Sequence, residues 1–180
     1  EPCVEADVTV TFQFCKTGLM LQDGLDACGE VAVRDIGIPE AFFPGDMPRL
    51  LDTADVAAHF PPRRRNAHKG NFGHLLIVAG SVGMAGAAAM CAEAAVRTGV
   101  GLTTVACPAS ILPVIQTLVP CAMCLPMPEK DGALAPESAD ALRRALEGKS
   151  AAAVGCGLSR RAAPEAVAAV LEADIPAVID

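Results

Sequence analysis

Apolar and polar residues follow two rhythms along this chain, and each predicts a different kind of element. In DVTVTFQF, residues 7–14, Val8, Val10 and Phe12 alternate with Thr9, Thr11 and Gln13, the period of two that sends successive side chains to opposite faces of a strand. EVAVRDIGIP, residues 30–39, repeats the pattern after Gly24 and Gly29 and predicts a second strand. The stretch between them, CKTGLMLQDGLDACG, reads as a loop with a short apolar run. From Gly73 onward, apolar runs alternate regularly with helical periods. HLLIVAG (74–80) predicts a buried strand, GAAAMCAEAAVRTG (86–99) a helix closed by Gly99, and LTTVACP (102–108) the next strand. SILPVIQTLV (110–119) then reads as a helix, CAMCLPM (121–127) as a strand and PESADALRRALEGK (136–149) as a helix ended by Gly148. SAAAVGCGL (150–158) predicts a strand, AAPEAVAAVLEAD (162–174) a helix that tolerates Pro164 in its first turn, and PAVID (176–180) a further strand.

Strands separated by single helices need crossover connections, which are right-handed. The result is an α/β fold: a mostly parallel sheet flanked by helices, with ligands gathering at the carboxyl ends of the strands. Residues 39–62 break the rhythm, because five of the 14 prolines fall there. We read three parts: a short β-rich segment over 1–38, a linker over 39–62 and the α/β domain over 63–180. Within the linker, DTADVAAHF (52–60) predicts one short helix with Asp52 or Thr53 as its N-cap.

Composition narrows the classes. Hydrophobic residues make up 52% and charged residues 19%, and no run of like charge exceeds Arg63–Arg65, so the chain is globular rather than disordered. A net charge of -7 argues against a general nucleic-acid or anionic-membrane partner, since both need a sustained basic surface. With six Phe and no Trp or Tyr, the core must be built from Ala, Val, Leu and Ile, which suits helices packed closely on a sheet. No apolar run is long enough for a membrane span, and EPCVEADVTV carries neither a basic start nor an apolar signal core, so the expected location is cytoplasmic. The first residue, Glu1, suggests a processed chain or an excerpt. Cys15, Cys91, Cys107, Cys121 and Cys156 lie in apolar patterns and are expected to be reduced thiols. The lone C-x-x-C of Cys121 and Cys124 lacks a second pair or a suitably spaced His, which favours core packing over metal or redox chemistry.

Three glycine-bearing stretches carry candidate chemistry. Gly80, Gly83 and Gly86 recur every third residue between the strand HLLIVAG and its helix, where positive φ and free N–H groups would admit an anion or nucleotide. The pattern is neither G-x-G-x-x-G nor a P-loop, and a tight turn with no ligand is the competing reading. HKGNFG before the strand offers His68 and Lys69 as phosphate donors through a flexible Gly70–Gly73 loop, or is simply a solvated basic loop. VGCGL (154–158) sets Gly155 and Gly157 at another strand end, so that three such turns would line one cleft if the strands are parallel. Asp180 also falls at a strand end, where it would bind a hydroxyl or cap the strand. No nucleophile triad, metal-ligand cluster or paired carboxylate stands out, so no catalytic residue and no metal ligand is assigned.

Taken in order, the residues from HKGNFGHLLIVAGSVGMAGAAAMCAEAAVRTGVGLTTVACP through VGCGL to PAVID resemble the ribokinase-like dehydratase domain of the NAD(P)H-hydrate repair enzymes. EADVTVTFQFCKTGLMLQDGLDACGEVAVRDIGIP resembles the last segment of the NAD(P)H-hydrate epimerase domain, which precedes the dehydratase in bifunctional members. The resemblance implies that ADP or ATP, with Mg2+, phosphorylates the hydroxyl of the S hydrate of NADH or NADPH, and that phosphate is then eliminated to restore the cofactor. It also implies an epimerase that interconverts R and S hydrates, and a homo-oligomer. On this resemblance Ala87 and Gly157 contact the hydrate, with Gly86, Gly155 and Asp180 beside them. Lys69 and Gly70 match the family's loop before the first strand and are assigned phosphate or donor contact. The chain departs from the family at Cys156, where many members have proline, and at PCAMC, which replaces an acidic residue after proline. It contains neither the Gly-Thr/Ala-Gly-Asp motif that carries the catalytic aspartate nor the epimerase's Asn-Asn-Gly-Gly-Asp loop and its ligands for K+. The expectation is an excerpt, the end of one catalytic domain and the first half of the next, inactive alone and with an unpaired sheet edge. A ribokinase-like kinase of a vitamin alcohol and a non-enzymatic nucleotide-binding module are the rival readings.

Overall fold

In the computed structural model, residues 3–160 and 163–180 are described, and the chain divides into two compact units, Glu1–Pro62 and Arg63–Asp180. In the first unit, β1 (Val8–Phe12) and β2 (Glu30–Arg34) pair in parallel, Val8 opposite Glu30 and Phe12 opposite Arg34. Parallel neighbours cannot be joined by a hairpin and need a crossover. Residues 15–29, expected as a loop, supply it as two short helices, α1 (Thr17–Met20) and α2 (Asp23–Ala27). Gln22, at φ 53, turns the chain between them, and Asp23 and Asp26 lie in the first turn of α2, where negative charge favours the helix. Further along, Phe43 packs edge-on against Phe14 at 4.6 Å between ring centroids. Helix α3 (Thr53–Ala58) starts as expected at Asp52, whose carboxylate accepts from the N–H groups of Ala54 and Asp55 at 2.7 and 2.9 Å.

The second unit is a five-stranded parallel sheet in the order β5-β4-β3-β8-β9. Its strands are β3 (His74–Val78), β4 (Leu102–Pro108), β5 (Met123–Met127), β8 (Ala151–Val154) and β9 (Ala177–Ile179). Helices α4 (Ala85–Thr98) and α5 (Leu112–Leu118) pack on one face, and α6 (Ser138–Leu146) and α7 (Ala163–Glu172) on the other. The expected start of the last helix at Ala162 lies outside the described residues. The period of two shows in the core itself: Leu76 and Val78 enter the α6/α7 layer with Leu142 and Val170, while Ile77 and Ala79 enter the α4/α5 layer with Ala88, Ala92 and Ile115. Alanines dominate the buried face of α4, at positions 88, 89, 92 and 95, so the helix lies close to the sheet without large side chains between.

One element had no counterpart in the expected pattern, the hairpin of β6 (Glu129–Lys130) and β7 (Ala133–Leu134). Its tip, Asp131 and Gly132, has φ of 53 and 75, the doubly left-handed turn for which Asp-Gly is the usual sequence.

Candidate functional site

The winding of the sheet fixes where a ligand can enter. The chain moves outward from β3 to β4 and β5, then returns to the opposite side of β3 as β8 and continues to β9. At such a reversal the connections after β3 and β8 leave in opposite directions, opening a crevice at the carboxyl ends of those two strands. The turns over that crevice are Gly80–Ala87 and Gly155–Leu158.

Backbone bonds stitch the two turns together. Gly155 N–H donates to the Val78 carbonyl at 3.2 Å, Gly80 N–H to the Cys156 carbonyl at 2.9 Å, and the Ser81 hydroxyl to the Gly157 carbonyl at 2.9 Å. Gly157, at φ 70, lies so near α4 that an added Cβ would stand 2.8 Å from the Met84 carbonyl and 3.0 Å from Ala87 Cβ. Gly155, at φ 131, presses likewise on the Asp180 backbone, and Asp180 N–H continues the ladder to the Val154 carbonyl at 3.0 Å. Ala87, Gly155, Gly157 and Asp180 therefore come together at one edge. Gly86 joins them on the first turn of α4 with open space where a side chain would project. The N–H groups of Gly83, Ala85, Gly86, Cys156 and Gly157 have no acceptor among the described residues, as expected of a helix start and a tight turn. The arrangement can hold an anion or a polar nucleotide by its main chain.

Lys69 and Gly70 are not brought to this edge. Residues Lys69–Phe72 form a 3-10 turn rather than a flexible loop, with the His68 ring accepting from Gly70 N–H at 3.2 Å and Asn71 Oδ1 from His68 N–H at 3.0 Å. The Phe72 and Gly73 carbonyls accept from Gly101 and Leu102, which places the turn at the amino ends of β3 and β4. The five residues of β3, at about 3.3 Å each, separate it from Gly80 by roughly 17 Å. Two glycine turns line the crevice, not three. A pattern read along the chain puts HKGNFG next to the strand but does not say that a ligand at the strand's far end is out of reach.

Two features of the site carried no recognised signal. Cys91, on the same face of α4 as Ala87, meets Cys156. Burial, then the neighbouring Cys156 thiol and the Asp180 charge, push the Cys91 thiol up to about 12, so it stays protonated and inert. The hairpin tip reaches the glycine turn, its Gly132 carbonyl accepting from Val82 N–H at 2.7 Å. The Asp-Gly pair was the available sign of that hairpin. Among the described residues no three His, Cys, Asp or Glu side chains converge as a metal site, and no helix is long and apolar enough to cross a membrane. Apart from this site, a cavity of about 630 Å³ in the first unit is lined by Phe14, Met20, Phe43, Met47 and Leu50.

A parallel sheet wound both ways from β3, with glycine turns over the reversal, defines a ribokinase-like α/β protein. A ribokinase-like superfamily protein of Enterococcus faecalis V583 superposes with a TM-score of 0.53 at 26% identity, covering 62% of this chain and 37% of that one. Residues 75–180 match the family model described as NAD(P)H-hydrate dehydratase, and the chain belongs to that family. Over 98% of its length it is 37% identical to the bifunctional NAD(P)H-hydrate repair enzyme Nnr of Coxiella burnetii, and over 99% it is 36% identical to that of Moorella thermoacetica. It spans 35% of each of these relatives. The ADP/ATP-dependent NAD(P)H-hydrate dehydratase of Bacillus subtilis, co-crystallised with ATP/Mg2+, aligns at 30% identity with a TM-score of 0.56, covering 71% of this chain and 43% of that one.

Proposed function

We propose that the crevice over β3 and β8 binds the S hydrate of NADH or NADPH for ADP- or ATP-dependent dehydration. Ala87, Gly86, Gly155, Gly157 and Asp180 form the hydrate side of the site, and the free N–H groups around them take its phosphate or hydroxyl oxygens. The observation that carries this reading is the convergence of those N–H groups at the switch point, in a chain of the dehydratase family. Phosphoryl transfer from the nucleotide to the hydrate hydroxyl makes a leaving group. Breaking that carbon–oxygen bond, with loss of a proton from the adjacent carbon, releases phosphate and restores the ring double bond. The described residues offer no carboxylate cluster to hold Mg2+, so the ion enters with the donor's phosphates.

In this reading residues 1–38 close an epimerase domain, 39–62 join it to the next, and 63–180 open the dehydratase domain of a cytoplasmic homo-oligomer. The 180 residues contain no Gly-x-Gly-Asp, so we expect the chain by itself to bind the hydrate without turning it over. Thermal unfolding of the chain with the S hydrate of NADH, with ADP, with a vitamin alcohol, or with none is the test. A ligand held by the native state raises the midpoint. The hydrate should raise it; stabilisation by the vitamin alone, or by nothing, would overturn the proposal. Formation of dihydronicotinamide absorbance on adding ADP would overturn the expectation of no turnover.

A further inference from the structure

We infer that Ser81 is a positioning residue that holds the glycine turn open for its ligand, an inference that rests on the crevice being the hydrate site. A serine just ahead of a helix ordinarily caps it, its oxygen accepting from an N–H of the first turn. Ser81 does not: the residue flanking α4 is Met84, and no side chain caps that end. The hydroxyl of Ser81 donates instead across the crevice to the Gly157 carbonyl at 2.9 Å, and the residue is 3% exposed.

That bond continues the strand ladder where the main chain leaves it. The rungs between the two strands run from Gly155 N–H to Val78 and from Gly80 N–H to Cys156, and Ser81 makes the next one with its side chain. Its neighbour Val82 is held from the other side by the Gly132 carbonyl at 2.7 Å, where an added Cβ on Gly132 would come within 2.7 Å of Val82 Cγ2. Consecutive residues are thus tied in two directions, to the β8 turn and to the hairpin tip. Beyond the ties, Gly83 takes φ 85 and α4 begins with its first N–H groups unpaired. Without them the turn would be free to fold its donors onto its own carbonyls, and a ligand would have to reorder it on binding.

The test compares Ser81→Ala with Ser81→Thr, which keeps the hydroxyl, in the 180-residue chain. Affinity for the S hydrate of NADH should fall about ten-fold in Ser81→Ala and return to within about three-fold in Ser81→Thr, the scale of one hydrogen bond. Amide hydrogen exchange, which needs no ligand, should quicken about ten-fold at Gly80 and Gly155 in Ser81→Ala and stay unchanged at Val105. Unchanged exchange at Gly80 and Gly155, or equal quickening at Val105, would overturn the inference. A wild-type chain that binds no hydrate sinks the functional reading instead, and the exchange pattern still decides whether Ser81 braces the turn. Should Ser81→Ala not fold, Ser81→Cys, of the same shape with a weaker donor, carries the same comparison.

Discussion

At the mouth of the crevice the glycines divide by what a side chain would cost. Gly157 combines φ 70 with a Cβ position closed by Met84 and Ala87, so Gly157→Ala should lose about 1–3 kcal/mol of stability from strain and displacement. Gly86 has neither constraint, and Gly86→Ala should leave stability unchanged or raise it by up to about 1 kcal/mol, since alanine is the better helix former. Hydrate affinity should nonetheless drop in Gly86→Ala, because the methyl occupies the open side of the turn. Denaturant unfolding and a binding titration on both variants separate the two roles. His74 gives a pH signature at the same scale. Burial first, then the charge of Lys149, lower its pKa from the ordinary 6.5, while its Nε2 pairs with Thr104 Oγ1 at 2.8 Å. The folded state therefore favours the neutral ring: its contribution is complete above pH 6.5 and is lost as pH falls through the lowered value. The midpoint of wild type should fall more steeply below pH 6.5 than that of His74→Gln, as thermal melts across that range would register.

Among elements, those long enough to repeat a period are the ones the sequence revealed. Alanine on one face of α4, and Leu142 and Leu146 one turn apart on α6, mark the buried sides directly. Helix α6 also shows how unequal its two sides are. Leu142, 1% exposed, packs between the sheet and α7, and Leu142→Ala should cost about 2–5 kcal/mol. Arg143 beside it pairs with Glu172 of α7 at 2.7 Å and with Asp140 at 2.9 Å, but it stands in solvent that screens both pairs. Arg143→Ala should therefore shift the unfolding midpoint far less than Leu142→Ala, and the shift should vanish in high salt. Helices α1 and α2 and the hairpin of β6 and β7 escaped notice because four- or two-residue elements carry no period. Their conformation comes from turns at Gln22 and at Asp131–Gly132 and from what those turns touch.

For the molecule as a whole, the alternation of strand and helix from His74 to Asp180 was legible and required a parallel layered sheet, because each apolar run had to be covered on both faces. Local pattern also identified Gly80–Ala87 and Val154–Leu158 as strand-end turns, since a backbone forced to positive φ selects glycine wherever it occurs. Strand order was not legible. Nothing in the residues themselves says that β8 returns to the far side of β3 rather than extending beyond β5. That placement makes the crevice, seats Gly157 against Ala87, gives Ser81 its acceptor 76 residues away, and leaves Lys69 and Gly70 at the opposite end of the strand. Periodicity is a property of neighbours along the chain. A binding edge belongs to residues that are distant in sequence, and only the packing of both helix layers on one twisted sheet decides which of them meet.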